Sequence, residues 1–393
     1  MDQSSHLTDS FPIDCDRARR LTLVPSRLRL AEPCAAVPEQ WQAGLNQLLD
    51  WLAVEVDYVP AAKSRLPRVP GWARAVGASS QPATVFAPWI GWSPAAFQHG
   101  GHPGLPAAQF VASYLIEHAR GCAPGRGGID IMLMSPHPAT CIAQEAGSAP
   151  LPHAAAMQAM LRAARAEGRE RVAIILHAHQ RNALARQLLA GGKKQTCAGI
   201  EMDIITIEDA LVPLMAGRAR WDAIIAMPDV RSIVFTVLAE TSGVRGPWPM
   251  LWFAQGRLQL VTSETPGDGM RRLSLDAPAL IHALALTLHA AGKAGAALNL
   301  HESWARVRGR GVTTAARGSD APYASEVTDA EFIALHQREI AAGGQPAGSW
   351  RALKNTPVII SVREMPPLRV ISTTIATEPA KGGLDAKPQD RRE

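Results

Sequence analysis

Residues 204–243 constrain the fold of this chain more than any other stretch. Their pattern predicts a strand, a helix, a second strand, a turn and a second helix, an alternation typical of a parallel α/β sheet. In such sheets chemistry takes place just beyond the carboxyl ends of the strands. Here that position is the segment MPDVRS (227–232), which follows the apolar run AIIAM (223–227). The side chains of this segment therefore bear directly on function.

Hydrophobic periodicity extends the same α/β pattern along the chain. Helical spacing of apolar residues predicts helices over 39–54, 71–77, 107–119, 152–167, 181–190, 278–291, 294–308 and 329–342. Short apolar or alternating runs predict strands over 21–25, 54–59, 83–90, 128–134, 171–176, 357–363 and 368–374. Residues 261–272 carry loop-forming chemistry and are predicted to form a loop.

Composition excludes several classes of protein. Hydrophobic residues make up 47% of the chain, so a large core can form and wholesale disorder is excluded. No apolar run reaches the roughly 18 to 20 residues of a membrane span, and the first 20 residues lack the apolar core of a signal peptide. We therefore expect a cytoplasmic protein with no membrane contact, and the heavy use of Ala, Arg and Gly suggests a bacterial source. The net charge of +5 is scattered, which argues against nucleic-acid binding.

Cysteine and histidine spacing predicts no metal site. The five cysteines are odd in number and form no CxxC pair, so reduced thiols are expected rather than disulfides or a zinc ribbon. His177 and His179 lie two residues apart and could bind one metal ion together, and so could His99 and His102. Neither pair has a third ligand at a recognisable spacing.

The order of these segments resembles the isocitrate/isopropylmalate dehydrogenase family, the metal-dependent β-decarboxylating dehydrogenases, over residues 20–315. The resemblance is carried by PATVFAPWIGWSP (82–94), GIDIMLM (128–134), GRERVAIILHAH (168–179), residues 207–234 and RGRGVTT (308–314). It implies a two-domain α/β fold with parallel or mixed sheets flanked by helices.

The resemblance also implies a division of the chain. A larger, discontinuous, cofactor-type domain would comprise residues 21–104 and 251–317, and a central domain that binds substrate and dimerises would comprise 105–250. Outside the match, residues 1–20 are predicted to be a flexible arm. Residues 318–393 are predicted to be an extension with a helix, a strand pair and a disordered tail.

Members of this family oxidise a 2-hydroxy acid by hydride transfer to NAD(P) and then decarboxylate it, which requires a divalent cation held by carboxylates. The position matching the metal-site acid that comes from the second subunit is Glu208. The next two acids are replaced by Ser232 and Thr236, whose neutral hydroxyls bring no charge to a cation. Asp229 lies nearby, and Pro228 replaces a polar residue near the cofactor.

The proton-transfer and carboxylate-binding positions also differ. The catalytic lysine position is His177, which can still transfer a proton, whereas the tyrosine position is Ile142. Of the three arginines that bind substrate carboxylates, only Arg120 is retained. The other two positions are Ser135 and Phe110.

The cofactor segments diverge as well. Glu264 occupies the histidine position of the adenosine loop, where an acid would repel phosphates, and Ala277 precedes Pro278 in place of Asn. VPSRLRL (24–30) replaces the glycine-rich turn after the first strand. We therefore assign no cofactor-binding residue.

These independent losses favour a pseudoenzyme of this family, a homodimer without a cofactor and with a structural, regulatory or ligand-binding role. One alternative is an active, diverged NAD(P)-dependent 2-hydroxy-acid dehydrogenase that uses Glu208, Asp229 and His177 with Mg²⁺ or Mn²⁺. Another is a non-catalytic subunit of a hetero-oligomer with an active paralogue. Glu208 could also simply favour the start of a helix, and Arg120 could be a surface ion pair.

Overall fold

A computed structural model describes residues 28–31, 39–59, 84–92, 108–117, 129–143, 149–190, 200–216, 220–242, 246–254, 257–265, 275–315 and 324–342. All of them belong to one compact unit, Met1–Pro357. Several predictions lie outside the described residues: the arm over 1–20, the strands over 21–25, 357–363 and 368–374, and the helix over 71–77.

A mixed ten-stranded sheet forms the centre of the fold, in the order β2-β1-β3-β12-β11-β4-β5-β10-β8-β9. Its strands are β1 (Leu28–Ala31), β2 (Val56–Val59), β3 (Val85–Trp92), β4 (Phe110–Glu117), β5 (Ile129–Pro136), β8 (Arg171–Leu176), β9 (Glu201–Thr206), β10 (Ala223–Ala226), β11 (Trp248–Ala254) and β12 (Arg257–Glu264). Two small sheets pair β6 (Cys141–Ile142) with β7 (Leu151–Pro152) and β13 (Val312–Thr314) with β14 (Ser325–Val327).

Eight α-helices accompany the sheet in the described part of the chain. They are α1 (Glu39–Trp51), α2 (Ala154–Ala166), α3 (Ala178–Ala190), α4 (Ile207–Met215), α5 (Arg231–Ser242), α6 (Ala277–Ala290), α7 (Ala294–Gly309) and α8 (Asp329–Ala342). The α/β class is therefore confirmed. None of these helices is long and apolar enough to cross a bilayer.

Strands β5, β10, β8 and β9 form a parallel half-sheet with an unbroken register. Ala226 pairs with Ile175, and Leu176 pairs with Thr206. Helices α3, α4 and α5 begin within a few residues of the ends of β8, β9 and β10. This arrangement confirms the strand–helix–strand–turn–helix prediction for residues 204–243, and it brings three strand ends to one edge of the sheet.

The helix predicted over 107–119 is wrong, because these residues contain β4. Strand β4 pairs antiparallel with β5 and β11 and is buried on both faces from Phe110 to Ile116. A strand buried on both faces reads as a continuous apolar run, which periodicity alone cannot distinguish from a buried helix.

Two loop predictions are also wrong. Residues 261–264 belong to β12, which pairs parallel with β3 and antiparallel with β11. Residues 28–30, read from the sequence as the replacement of a glycine-rich turn, belong to β1 and pair with β2. Because β1 extends to Ala31, the segment VPSRLRL is not evidence about a cofactor loop.

Hydrogen bonds tie together the amino ends of the parallel strands. The buried Arg169 guanidinium donates to the Asp130 carboxylate at 2.8 Å, to the Glu167 carboxylate at 2.9 Å and to the carbonyl of Asp222 at 2.6 Å. The Asp222 carboxylate accepts from the backbone N–H groups of Glu170 and Arg171, both at 3.1 Å. Because these groups satisfy one another, this edge is structural.

The helices α6, α7 and α8 form a packed group that includes buried histidines. Residues 277–288 of α6 are all buried, and Trp304 of α7 stacks on His282 with ring centroids 5.4 Å apart. His336 of α8 is fully buried, and its Nδ1 lies 2.7 Å from the Phe332 carbonyl.

The single large sheet contains strands from both predicted domains, so the division into two domains stays a prediction.

Candidate functional site

The carboxyl ends of β8 and β10 bring together two predicted site residues. His177 follows β8 and Asp229 follows β10, and these strands are hydrogen-bonded neighbours. His177 Nε2 lies 3.7 Å from Asp229 Oδ2, with side chains 35% and 42% exposed. This distance exceeds that of a direct hydrogen bond, but a protonated imidazole would form an ion pair with this carboxylate.

Gln180 completes this group, and its role was not predicted from the sequence. The side chain lies in the first turn of α3 and is 3% exposed. Its Oε1 accepts from the backbone N–H of His177 at 3.1 Å, and its Nε2 donates to Asp229 Oδ2 at 3.3 Å. A Gln at the third position of a helix is a known capping signal, but no sequence signal pointed to its contact with Asp229.

Cys141 and His137 lie beside this group. Burial, reinforced by the negative charge of Asp229, raises the pKa of the Cys141 thiol to about 12. Its Sγ donates to the His137 carbonyl at 3.8 Å. His137 Nδ1 accepts from the backbone N–H of Ala139 at 3.2 Å, and burial lowers the pKa of its ring. Cys141 is therefore a neutral thiol at physiological pH and a poor nucleophile.

Glu208 lies in the first turn of α4, at the same edge of the sheet, but no contact joins it to His177 or Asp229 among the described residues. The N-cap of α4 is Thr206, whose hydroxyl oxygen accepts from the backbone N–H of Asp209 at 3.3 Å. Glu208 is exposed. It shares one helix face with Val212 and Met215, because residues three and four positions apart lie on the same side of a helix. Arg120, His99 and His102 lie outside the described residues.

The positions matched to metal-binding acids do not fit a divalent cation. The hydroxyl of Thr236 donates to the carbonyl of Ser232 at 2.8 Å, a bond within α5 itself. A neutral hydroxyl brings no charge to Mg²⁺ or Mn²⁺, whose usual protein ligands include carboxylates. Within the described ranges, no group of three or more His, Cys, Asp or Glu side chains is placed to hold a metal ion.

The positions matched to substrate-binding side chains are equally altered. Phe110 is buried and stacks on Phe253, with ring centroids 4.7 Å apart. Ser135 is fully buried in β5. Ile142 is 56% exposed in the small β6–β7 hairpin. None of these three side chains carries a charge, and none could contact a substrate in the way that an arginine or tyrosine would.

Glu264 does not lie in a loop, which corrects the expectation that it would repel phosphates. It ends β12, it is fully buried, and its carboxylate accepts from Arg231 Nε at 3.1 Å and from Nη2 at 2.6 Å. Arg231 also donates to Ser113 Oγ at 2.8 Å, and Ser113 donates to Glu264. The charge of Glu264 is thus neutralised within the core. The sequence signal for this ion pair was Arg231 itself, a single Arg in the largely apolar segment 230–238.

The ten-stranded mixed sheet with its helices defines a dehydrogenase-like α/β fold that solved structures share. The isocitrate dehydrogenase from Methylococcus capsulatus matches with a TM-score of 0.55 and 13% identity, covering 80% of this chain and 99% of its own. The TT0538 protein from Thermus thermophilus matches with a TM-score of 0.52 and 15% identity, covering 80% and 68%. No protein-family model and no curated protein matches the sequence. The chain therefore has an isocitrate/isopropylmalate dehydrogenase-like fold, as predicted; at this identity the likeness concerns the fold alone.

Proposed function

We propose that this chain is an isocitrate/isopropylmalate dehydrogenase-like pseudoenzyme, which has lost oxidative decarboxylation and serves a structural, regulatory or ligand-binding role. The main observation behind this proposal concerns the residues at the start of α5. There Ser232 and Thr236 replace two carboxylates, and the Thr236 hydroxyl is bonded to its own helix. Without those charges a cation that polarises the substrate has no adequate ligand set.

The substrate positions support the same proposal. A dianionic or trianionic acid requires several cationic side chains to offset its charge. Phe110 and Ser135 are buried within the sheet instead, and Ile142 has no proton to donate. Under this proposal the protein requires neither NAD(P) nor Mg²⁺ or Mn²⁺. The test is NAD(P)H formation across a panel of 2-hydroxy acids with either metal.

A second candidate is an active, diverged NAD(P)-dependent 2-hydroxy-acid dehydrogenase. The observation that favours it is the approach of His177 to Asp229, at 3.7 Å, at the edge of the sheet where catalysis is expected. Glu208 would be the third contributing residue. This candidate requires nucleotide binding, so a thermal-shift screen with NAD and NADP separates the two proposals: stabilisation by either nucleotide supports the second.

We propose further that the chain forms a homodimer through the exposed face of α4. Val212 and Met215 are 73% and 64% exposed, although both are apolar. Ile233 of the neighbouring helix α5 is also exposed. Exposed apolar side chains grouped on adjacent helices are typical of an interaction surface. Glu208 lies on the same face and would then point towards the second subunit. An active paralogue bound to this face would instead indicate a non-catalytic subunit.

A further inference from the structure

The amide of Gln180 makes two hydrogen bonds that have different purposes. Its Oε1 accepts from the backbone N–H of His177, the residue just before α3. This bond is half of a capping box and stabilises the start of the helix. A glutamate would satisfy the same N–H equally well, so helix capping does not require an amide here.

The second bond does require an amide. Gln180 Nε2 donates to Asp229 Oδ2 at 3.3 Å, across the gap between the loops that follow β8 and β10. The same carboxylate oxygen lies 3.7 Å from His177 Nε2. Gln180 is 3% exposed, whereas His177 and Asp229 are partly open to solvent. A buried amide therefore holds one oxygen of a partly exposed carboxylate.

We infer that Gln180 is a positioning residue, which holds the Asp229 carboxylate against the His177 imidazole so that the two form a preset proton donor–acceptor pair for a small-molecule ligand. A histidine and a carboxylate can transfer a proton without a metal ion. Asp229 faces Nε2 and favours the neutral tautomer that carries its hydrogen there, leaving Nδ1 as an acceptor. Contacts of this kind often shorten when a ligand binds.

Two other ionisable groups near the pair, both in the described part of the chain, do not replace this role. His179 stacks on His177 with ring centroids 5.6 Å apart and brings no carboxylate. Cys141 is held neutral by burial. The inference goes beyond the proposed function and does not rest on it, because a proton-transfer pair can remain after metal-dependent oxidation is lost.

The test compares the NMR signals of the His177 ring and of its backbone amide at one pH. The variants are Q180M, D229N and their combination, with Q187M as the matched control. Gln187 lies on the same helix and donates to the Pro152 carbonyl at 2.8 Å rather than to Asp229. In Q180M we expect the ring signals to move by an amount comparable to that in D229N. The effect of D229N should fall about twofold or more in the Q180M background, because the two changes act on one contact.

A purely structural role gives a different result. If Gln180 only caps α3, Q180M moves the backbone amide signal of His177 and leaves the ring signals as in the wild type, which would overturn the inference. Equal effects of D229N in both backgrounds would overturn it too. If Q180M fails to fold, Q180E replaces it, because the new carboxylate still accepts from the His177 N–H but cannot donate to Asp229. The effect of D229N should shrink in that background as well.

Discussion

Arg231 and Glu264 form a bidentate ion pair whose side chains are both fully buried. The pair joins the start of α5 to the end of β12, and Ser113 of β4 contacts both partners. Two charges removed from water are tolerated only when they satisfy each other in good geometry. Glu264 is therefore committed to the core and is not available to a ligand.

Removing one partner of this pair should be far more damaging than removing both. E264A leaves the Arg231 guanidinium buried and unpaired, so the free energy of unfolding should fall by about 3–5 kcal/mol. The double variant R231M/E264L replaces both charges with apolar groups and should recover most of that loss. Urea unfolding measures both values. As a control, R220A breaks the exposed pair with Asp203 and should lower the free energy of unfolding far less, because water screens exposed pairs. Equal losses in the single and double variants would contradict the prediction.

Acid should destabilise the protein through His336. Burial lowers the pKa of this ring from 6.5 to about 4. Between these values the unfolded chain binds a proton that the folded chain does not, so stability is highest above pH 6.5 and falls as the pH approaches 4. The loss amounts to about 3 kcal/mol. Denaturant unfolding at pH 7.5, 6 and 5 should show this slope, and H336L should flatten it. An unchanged slope in H336L would refute the assignment. H289L is the comparison, because the half-buried His289 also has a lowered pKa and should matter less.

Cys141 should react slowly with alkylating agents. A thiol with a pKa of about 12 has about a thousandfold less thiolate at pH 8 than one with a pKa of 9, and thiolate is the reactive form. Iodoacetamide labelling followed by peptide mass spectrometry resolves this cysteine from the other four. D229N removes one of the two causes and should accelerate labelling a few-fold. Labelling of Cys141 at the rate of a free thiol would contradict the prediction, because it would show that the thiol is accessible and that its pKa is not raised.

A charge on the exposed face of α4 should dissociate the proposed homodimer. V212D places a carboxylate in the centre of the apolar face and should convert the dimer to monomer, measured by light scattering after size exclusion. L298D is the matched control, because Leu298 is also an exposed apolar side chain but lies on α7. A wild-type protein that is already monomeric, or a V212D variant that stays dimeric, would exclude this face as the interface.

Much of the fold could be predicted because its local signals agree with its packing. The amphipathic spacing of Trp41, Leu45, Leu48 and Leu49 correctly gave α1, and these four side chains are buried. The failures fall where the sheet is buried on both sides. Strand β4 lacks alternation because both of its faces are covered, so a continuous apolar run was taken for a helix.

The site could be predicted only in part. The family resemblance grouped His177 with Asp229, and the parallel α/β pattern placed Asp229 just beyond the carboxyl end of a strand. The contacts that organise this edge and the core beside it depend on residues distant in sequence. Gln180 and Asp229 are 49 positions apart, and Arg231 and Glu264 are 33 apart. No local pattern encodes such pairings.

NAD(P)H formation by the purified protein tests most directly whether oxidative decarboxylation has been lost. Substrates should span 2-hydroxy acids with one, two and three carboxylates, each with NAD and NADP and with Mg²⁺ or Mn²⁺. Because Ser232 and Thr236 match positions where the cation would need carboxylates, we expect no turnover above the rate without protein. Robust turnover that requires the metal and is abolished by chelation would contradict it.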